Sequence, residues 1–219
     1  LAVCATPDTY AFWDGVHPTA AGHRLVASLA TDYLYYGNFG AHSAVQGEIA
    51  VRARADGLDA VTGRLGTGSA ETRPGGLYMG LTYDQNEFDA RDVIPEGDMT
   101  GGTLIIGADG DLAQGLRAGA ALQLRTGDVD LGLVNYTADG ASLDAYLCWR
   151  EGSFFVNAAA GYSWDQYSDI ARQTATPGVV AQSSTAGSTF GAKAEAGMVF
   201  DMGGLAFVPR AGLSWISTT

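Results

Sequence analysis

From Gly76 to the end of the 219-residue chain, apolar side chains fall on every second position. Leu77, Met79, Leu81 and Tyr83 alternate with Gly76, Tyr78, Gly80 and Thr82. Leu116, Ala118, Ala120, Leu122 and Leu124 alternate with Arg117, Gly119, Ala121, Gln123 and Arg125. The same period of two recurs around residues 142–150, 153–164, 190–200 and 205–215, and less clearly at 103–108, where Leu104, Ile105 and Ile106 are contiguous. A period of two belongs to strands with two unlike faces. About seven such strands are predicted, each about ten residues long, the length a tilted strand needs to cross a bilayer.

The connections carry a second signal. Glu151-Gly152 and Met202-Gly203-Gly204 are very short, whereas residues 84–97 and 165–184 read as long polar loops. Short turns at one end and long loops at the other are the habit of outer-membrane barrels. Tyr83, Trp149, Tyr162, Trp164 and Trp215 fall near strand ends, where an interfacial aromatic girdle sits. Alternation alone leaves a soluble β-sandwich open. Two details favour the membrane: the apolar positions are rich in alanine, too light for a dense soluble core, and the polar positions mix charge with small residues, as a lumen does. Arg117, Arg125, Lys193 and Arg210 lie among Asp144 and Glu195 on those polar faces, which suggests a lumen filled by charge pairs and a helix rather than an anion conduit.

Composition sets outer limits. Hydrophobic residues make up 47% and charged residues 16%, with 31 glycines, a mixture too apolar for disorder. A formal net charge of −12 and a pI near 4.4 exclude nucleic acid as a partner, since phosphate binding needs clustered Lys and Arg. There is no run of about 18 apolar residues, so no transmembrane helix is expected. Leu1-Ala2-Val3-Cys4 has neither the charge nor the apolar core of a signal peptide, and the missing initiator Met suits a piece of something longer. Cys4 and Cys148 follow no spacing pattern and read as two unpaired thiols; no metal site and no cofactor are expected.

Before the strands the period is helical. Residues 1–17 read as loop. A helix is predicted from Pro18, placed at the first helical position, to about Tyr36, with Ala21, Leu25, Leu29 and Tyr33 on one stripe widened by Val26 and Leu34. Gly37-Asn38-Phe39-Gly40 should end it, and His42 should be an exposed linker residue. Residues 43–68 could form a second helix with Ile49, Arg52, Ala53, Asp56 and Ala60 on one side. Its mixed charges are too polar for hydrocarbon and suit a water-filled lumen or an exposed linker. Residues 63–76 are a flexible Gly/Ser/Pro stretch.

The chemistry is concentrated in Tyr10-Ala11-Phe12-Trp13-Asp14-Gly15-Val16-His17-Pro18-Thr19. His17 can take and return a proton near neutrality. Asp14, three positions earlier, is close enough to bind one ring nitrogen and fix the tautomer, leaving the other for a substrate or nucleophile. Trp13 is expected to pack under the turn, and His23, with no carboxylate to orient it, to be solvated.

This ten-residue run resembles the last conserved block of GDSL-type (SGNH) esterases and lipases. The resemblance implies that Asp14 and His17 complete a catalytic triad with a serine nearer the enzyme's N-terminus. No residue here matches that family's Gly-Asp-Ser block or its oxyanion glycine and asparagine, so by itself this stretch should hydrolyse nothing. Ser188-Thr189-Phe190-Gly191-Ala192-Lys193-Ala194-Glu195-Ala196-Gly197-Met198-Val199-Phe200 and the segment from Leu205 to Leu213 resemble the middle of the translocator barrel in autotransporter esterases of Gram-negative outer membranes. That resemblance implies about twelve strands around a plugging helix, a passenger at the cell surface, and truncation here at both ends. It also implies an ester or lipid substrate, outer-membrane lipid and the barrel-assembly machinery as partners. The expected architecture is mainly β: residues 1–36 the end of a hydrolase passenger, 37–74 a linker and lumen helix, 75–219 a partial antiparallel barrel. A pore-forming or structural barrel without esterase activity, and a soluble secreted hydrolase with a β-sandwich accessory domain, are the competing readings.

Overall fold

The computed structural model describes residues 6, 9–35, 40–65, 75–91, 96–174, 176 and 179–219. Two helices, α1 (Ala20–Tyr35) and α2 (Gly40–Arg64), precede nine strands. Seven of these form one antiparallel sheet: β1 (Gly76–Phe88), β2 (Gly97–Ala113), β3 (Leu116–Asp130), β4 (Val134–Glu151), β5 (Phe154–Gln173), β6 (Val180–Met198) and β9 (Arg210–Thr218), in that spatial order. The remaining two, β7 (Phe200–Asp201) and β8 (Ala206–Phe207), make a small hairpin between β6 and β9. Among the described residues the sheet is not closed, and β1 and β9 are its edges.

The two faces divide as the alternation requires. Ile106, Leu122, Leu143, Tyr162 and Phe190 pair in register across five strands and point outward, each more than a third exposed. Among the described residues no second sheet covers them. The opposite face carries Asp109, Gln123, Asp144, Asn157, Asp165 and Glu195, all buried. An apolar exposed face opposite a polar buried one is the inverse of a soluble sandwich and fits a wall between lipid and lumen.

Strand lengths differ from expectation for a reason visible in the register. β4, β5 and β6 have 18, 20 and 19 residues, about twice what a bilayer needs. The outward aromatics Phe154 and Trp164 bound the greasy part of β5; ten residues rise about 33 Å along a strand, or about 25 Å of height at a tilt near 40°. Beyond Trp164 the outward positions turn polar with Gln166 and Ser168 while the ladder continues to Gln173. Of the stretches expected to be loops, residues 84–88 belong to β1, 165–173 to β5 and 180–184 to β6, as strand projecting past the membrane. Polarity on both faces looks like loop in a sequence, but inter-strand hydrogen bonds do not need lipid.

Two short connections, at Gly115 and Gly152, sit at the other end, while a third, Leu131-Gly132-Leu133, lies at the end of the extensions. Gly115, Gly152 and Gly203 adopt φ of 74°, 58° and 72°, which only glycine enters without strain. Met202-Gly203-Gly204 is the tip of the β7–β8 hairpin rather than a direct turn between two wall strands, and Pro209 delays the last strand to Arg210. Because short turns face the periplasm and longer connections the cell exterior, the Gly115 and Gly152 end is the inner one.

α2 lies against the concave face along β4, β5, β6 and β9. Its N-terminal Val45 and Ile49 join Phe88, Met99, Val129 and Tyr136 in a buried cluster near the outer end. Its C-terminal Leu58, Val61 and Leu65 join Ala121, Tyr146, Cys148 and Ala159 near the inner end. The helix thus runs down the lumen from outside to inside, and β1 returns from there. The buried face is Val45, Ile49, Arg54, Leu58, Val61 and Leu65. The side grouped from the sequence, with Arg52, Asp56 and Ala60, instead borders a cavity of about 380 Å³ toward β1 and β2. Ile49, Arg52, Ala53, Asp56 and Ala60 do share one side, and Arg54, charged yet 2% exposed, belongs to the buried face beside it.

Two helix boundaries also move. α1 begins at Ala20, because the Thr19 hydroxyl accepts from the Gly22 amide at 3.0 Å and so caps the helix; Pro18 lies before the cap. α2 begins at Gly40, so His42 lies within a helix and Gly40 opens one rather than ending one. Residues 36–39, 66–74 and Cys4, and the expectations attached to them, lie outside the described residues. Cys148 is free and buried. The expected apolar stripe of α1 is present but uncovered: Leu25, Val26, Leu29, Tyr33 and Leu34 are all exposed.

Glycines seat aromatic rings on the lumen side. A Cβ on Gly119 would fall 2.5 Å from the Tyr146 ring, and one on Gly107 equally close to Tyr78. Tyr146 and Tyr78 in turn share a 2.9 Å hydroxyl hydrogen bond. Gly119→Ala should therefore destabilise the refolded full-length barrel by about 1–3 kcal/mol in urea unfolding, while Gly110→Ala, where the methyl meets open space, should stay within about 0.5 kcal/mol. Equal losses at both would mean that the ring seat does not matter. On the outer face, Leu122→Arg should lower stability by about 2–4 kcal/mol in the same assay performed in lipid, and a neutral result would place Leu122 outside the hydrocarbon.

Candidate functional site

The Asp14–His17 turn is closed by its own backbone. The Trp13 amide donates to the His17 carbonyl at 2.8 Å and the Thr19 amide to Ala11 at 3.0 Å, with Phe12 and Pro18 bridged antiparallel. Thr19, 1% exposed, donates its hydroxyl to the Tyr10 carbonyl at 2.5 Å while capping α1. Gly22 is required where it stands, since any Cβ there would overlap the Ala11 carbonyl oxygen. The loop before α1 is in this way stitched to the first turn of the helix.

Within that loop the expected pair forms. His17 Nδ1 lies 2.8 Å from Asp14 Oδ2, and Asp14 Oδ1 accepts the backbone amides of Val16 and His17, both at 2.7 Å. These bonds, the His17 amide foremost and then the His17 ring and the Val16 amide, hold the Asp14 carboxyl below its ordinary range. A carboxylate that stays charged and has both oxygens occupied is a fixed orienting group. The imidazole is left with Nε2 directed outward, and its side chain is 75% exposed. Trp13 does not pack under the turn: it is 57% exposed, with Tyr10, Phe12 and Val16 also more than half exposed beside it. Backbone hydrogen bonds, not ring burial, hold the pair. His23 is exposed as expected.

The turn stands on the outer side of the barrel. Asp32, near the end of α1, accepts a hydrogen bond from Thr176 between β5 and β6 at 2.9 Å, and that connection lies at the outer end. Arg91, just past β1 at the same end, grips Glu48 of α2 at 2.7 Å.

A second cluster, whose partners the sequence did not pair, joins α2 to the wall and the wall strands to one another. Arg54 pairs with Asp144 of β4, their side chains 1% and 0% exposed. Gln123 donates to Asp144 at 2.8 Å and to the Gly57 carbonyl at 3.1 Å. Nearer the inner end, Arg64 pairs with Asp109 at 2.7 Å and lies 4.2 Å over the Tyr78 ring. Arg125 pairs with Asp165 at 3.0 Å, Lys193 with Asp59 of α2, and Arg210 approaches Glu195 at 3.9 Å. The charges of the polar strand faces are thus met by one another and by a helix, as the mixed signs implied. The signal that could have located the partners was parity: Asp109, Gln123, Asp144 and Asp165 all fall on the lumen side of their strands.

Comparison with known proteins agrees with this architecture. The autotransporter β-domain family matches residues 77–219, and residues 1–76 lie outside that match. The translocator domain of the autotransporter NalP from Neisseria meningitidis has a similar fold, with a TM-score of 0.61 and 21% identity over 86% of this chain. The chain spans 61% of the length of that structure. No curated protein matches the sequence. A wall that is greasy outside and polar inside, threaded by a helix from the cell exterior, thus has its counterpart in a named family: the chain belongs to the autotransporter β-domain family, whose outer-membrane barrel anchors a passenger at the cell surface.

Proposed function

We propose that the passenger carried by this barrel is a serine carboxylesterase, and that Asp14 and His17 are two members of its catalytic triad. The observation that carries the reading is the 2.8 Å contact between His17 Nδ1 and Asp14 Oδ2 in a turn rigidified from both sides, with the other ring nitrogen free. In the intact protein a serine hydroxyl attacks the ester carbonyl while His17 Nε2 takes its proton. The same nitrogen returns that proton to the leaving alkoxide, and water then releases the acyl group by the reverse sequence. Asp14 stabilises the imidazolium in both halves. Its lowered proton affinity suits it to that role, since it stays an anion when the ring is charged. The chemistry asks for no cofactor.

A purely pore-forming or structural role fits less well, because α2 occupies the lumen and its charges are met by the wall. The uncovered apolar stripe of α1 also supports a larger passenger, since a helix with that pattern is made to be covered.

Full-length protein should hydrolyse a short-chain p-nitrophenyl ester. His17→Ala and Asp14→Asn should each lower kcat by about four orders of magnitude while KM moves little. An unchanged rate in His17→Ala would remove the pair from the chemistry. Stepwise ion conductance through planar bilayers with no esterase activity would favour the pore. Thr19→Ala, which removes the cap but touches no reacting group, should cost about 1 kcal/mol of local stability and show as earlier thermal inactivation with kcat retained at low temperature.

A further inference from the structure

Of the contacts between α2 and the wall, one differs in kind. Lys193 and Asp59 keep 22% and 63% of their side chains exposed, so water can take over if the helix shifts, and Asp109, though 1% exposed, has Arg117 of the wall 3.9 Å away besides Arg64 of the helix. Arg54 and Asp144 have no such exit. They sit in a socket whose walls are glycines. A Cβ on Gly191 would fall among the aliphatic carbons of Arg54, and one on Gly161 would overlap an Asp144 carboxylate oxygen. A Cβ on Gly57 would come 3.0 Å from both Arg54 and Gln123. Gln123 closes the socket by bridging Asp144 to the helix backbone. The socket is thus shaped to one side chain at one height.

We propose that Arg54 is the axial stop of α2: its fit into the glycine-walled socket around Asp144 determines how far the helix travels along the lumen, and so where the surface-held segment comes to rest. Sliding α2 by one turn, about 5.4 Å, brings an apolar residue, Ala50 or Leu58, opposite Asp144. A carboxylate with no water and no cation is then left behind, and burying a lone charge is among the steepest penalties available to a protein. The surrounding apolar contacts select less sharply, since one turn brings Ile49 to the place of Val45 and Leu65 to that of Val61, although it also brings Thr62 to the place of Leu58. The other helix–wall carboxylates keep either water or a second cation, Asp59 through its exposure and Asp109 through Arg117. Height along the pore is therefore read at a single residue.

The test is a register measurement on the full-length protein folded in the outer membrane, with Cys4→Ala and Cys148→Ala as background. Lys193→Cys is combined with either Asp59→Cys or Ala55→Cys, and each pair is bridged with a short bis-maleimide. With Arg54 in place, the bridge should form at position 59 and not at 55. Arg54→Ala should spread bridging over both positions in the folded, heat-modifiable barrel. Moving the key one turn, with Ala50→Arg and Arg54→Ala together, should transfer the bridge from 59 to 55, a shift of four residues or about 6 Å. Bridging that stays at 59 in a folded Arg54→Ala barrel would overturn the proposal. Should Arg54→Ala not fold, the moved-key variant decides: a bridge at 55 supports the stop, and a bridge at 59, or no folded barrel, overturns it.

Discussion

Two charges that cannot reach water must reach each other. Arg54 of α2 and Asp144 of β4 do so in the lumen of a barrel wall, and much of the surrounding structure serves that meeting. Gly57, Gly161 and Gly191 leave the room, Gln123 ties the carboxylate to the helix backbone, and the wall holds Asp144 inward by strand parity. A pair buried to this degree gains little over an apolar substitute but is severely destabilising when halved. Its effect is specificity: it tolerates one arrangement of helix and wall.

The same inversion governs the sheet. In a soluble protein the apolar row would turn inward and the Asp, Arg and Gln row outward; here the apolar row faces lipid and the polar row faces a helix. Every backbone amide in hydrocarbon needs a partner, which is why the wall is built of long continuous ladders. The ladders extend past the lipid because, once formed, they bring their own hydrogen bonds with them. The outer rim created in this way meets the peptide that enters the lumen, through Arg91 to Glu48 and Thr176 to Asp32.

Above the rim the problem is different. The Asp14–His17 pair lies at the surface, where a single exposed hydrogen bond contributes little. Its geometry comes from the backbone, through two amides on Asp14 and through Thr19, which holds the loop and the helix together. Four residues separate the two helices. The 16 residues of α1 thus stand between the pair and α2, which is itself held by the wall.

Period two, the short glycine turns, and an Asp and His three apart are local properties, and all were legible in the order of residues. So was the lumen character of the second helix, from its mixed charges. What local pattern could not reach was anything decided by a partner distant in the chain. The upper halves of β1, β5 and β6 read as loop because their pairing is inter-strand and leaves no apolar trace. Arg54 could not be told apart from the other charges of its helix because its counter-charge lies 90 positions away. Pro18 suits the first helical position, and that hides Thr19 as the cap until the hydrogen bond to Gly22 is seen. A sequence records which side chains prefer lipid, water or a tight turn; only the folded wall decides which charges face one another, since that choice is made by distances through space.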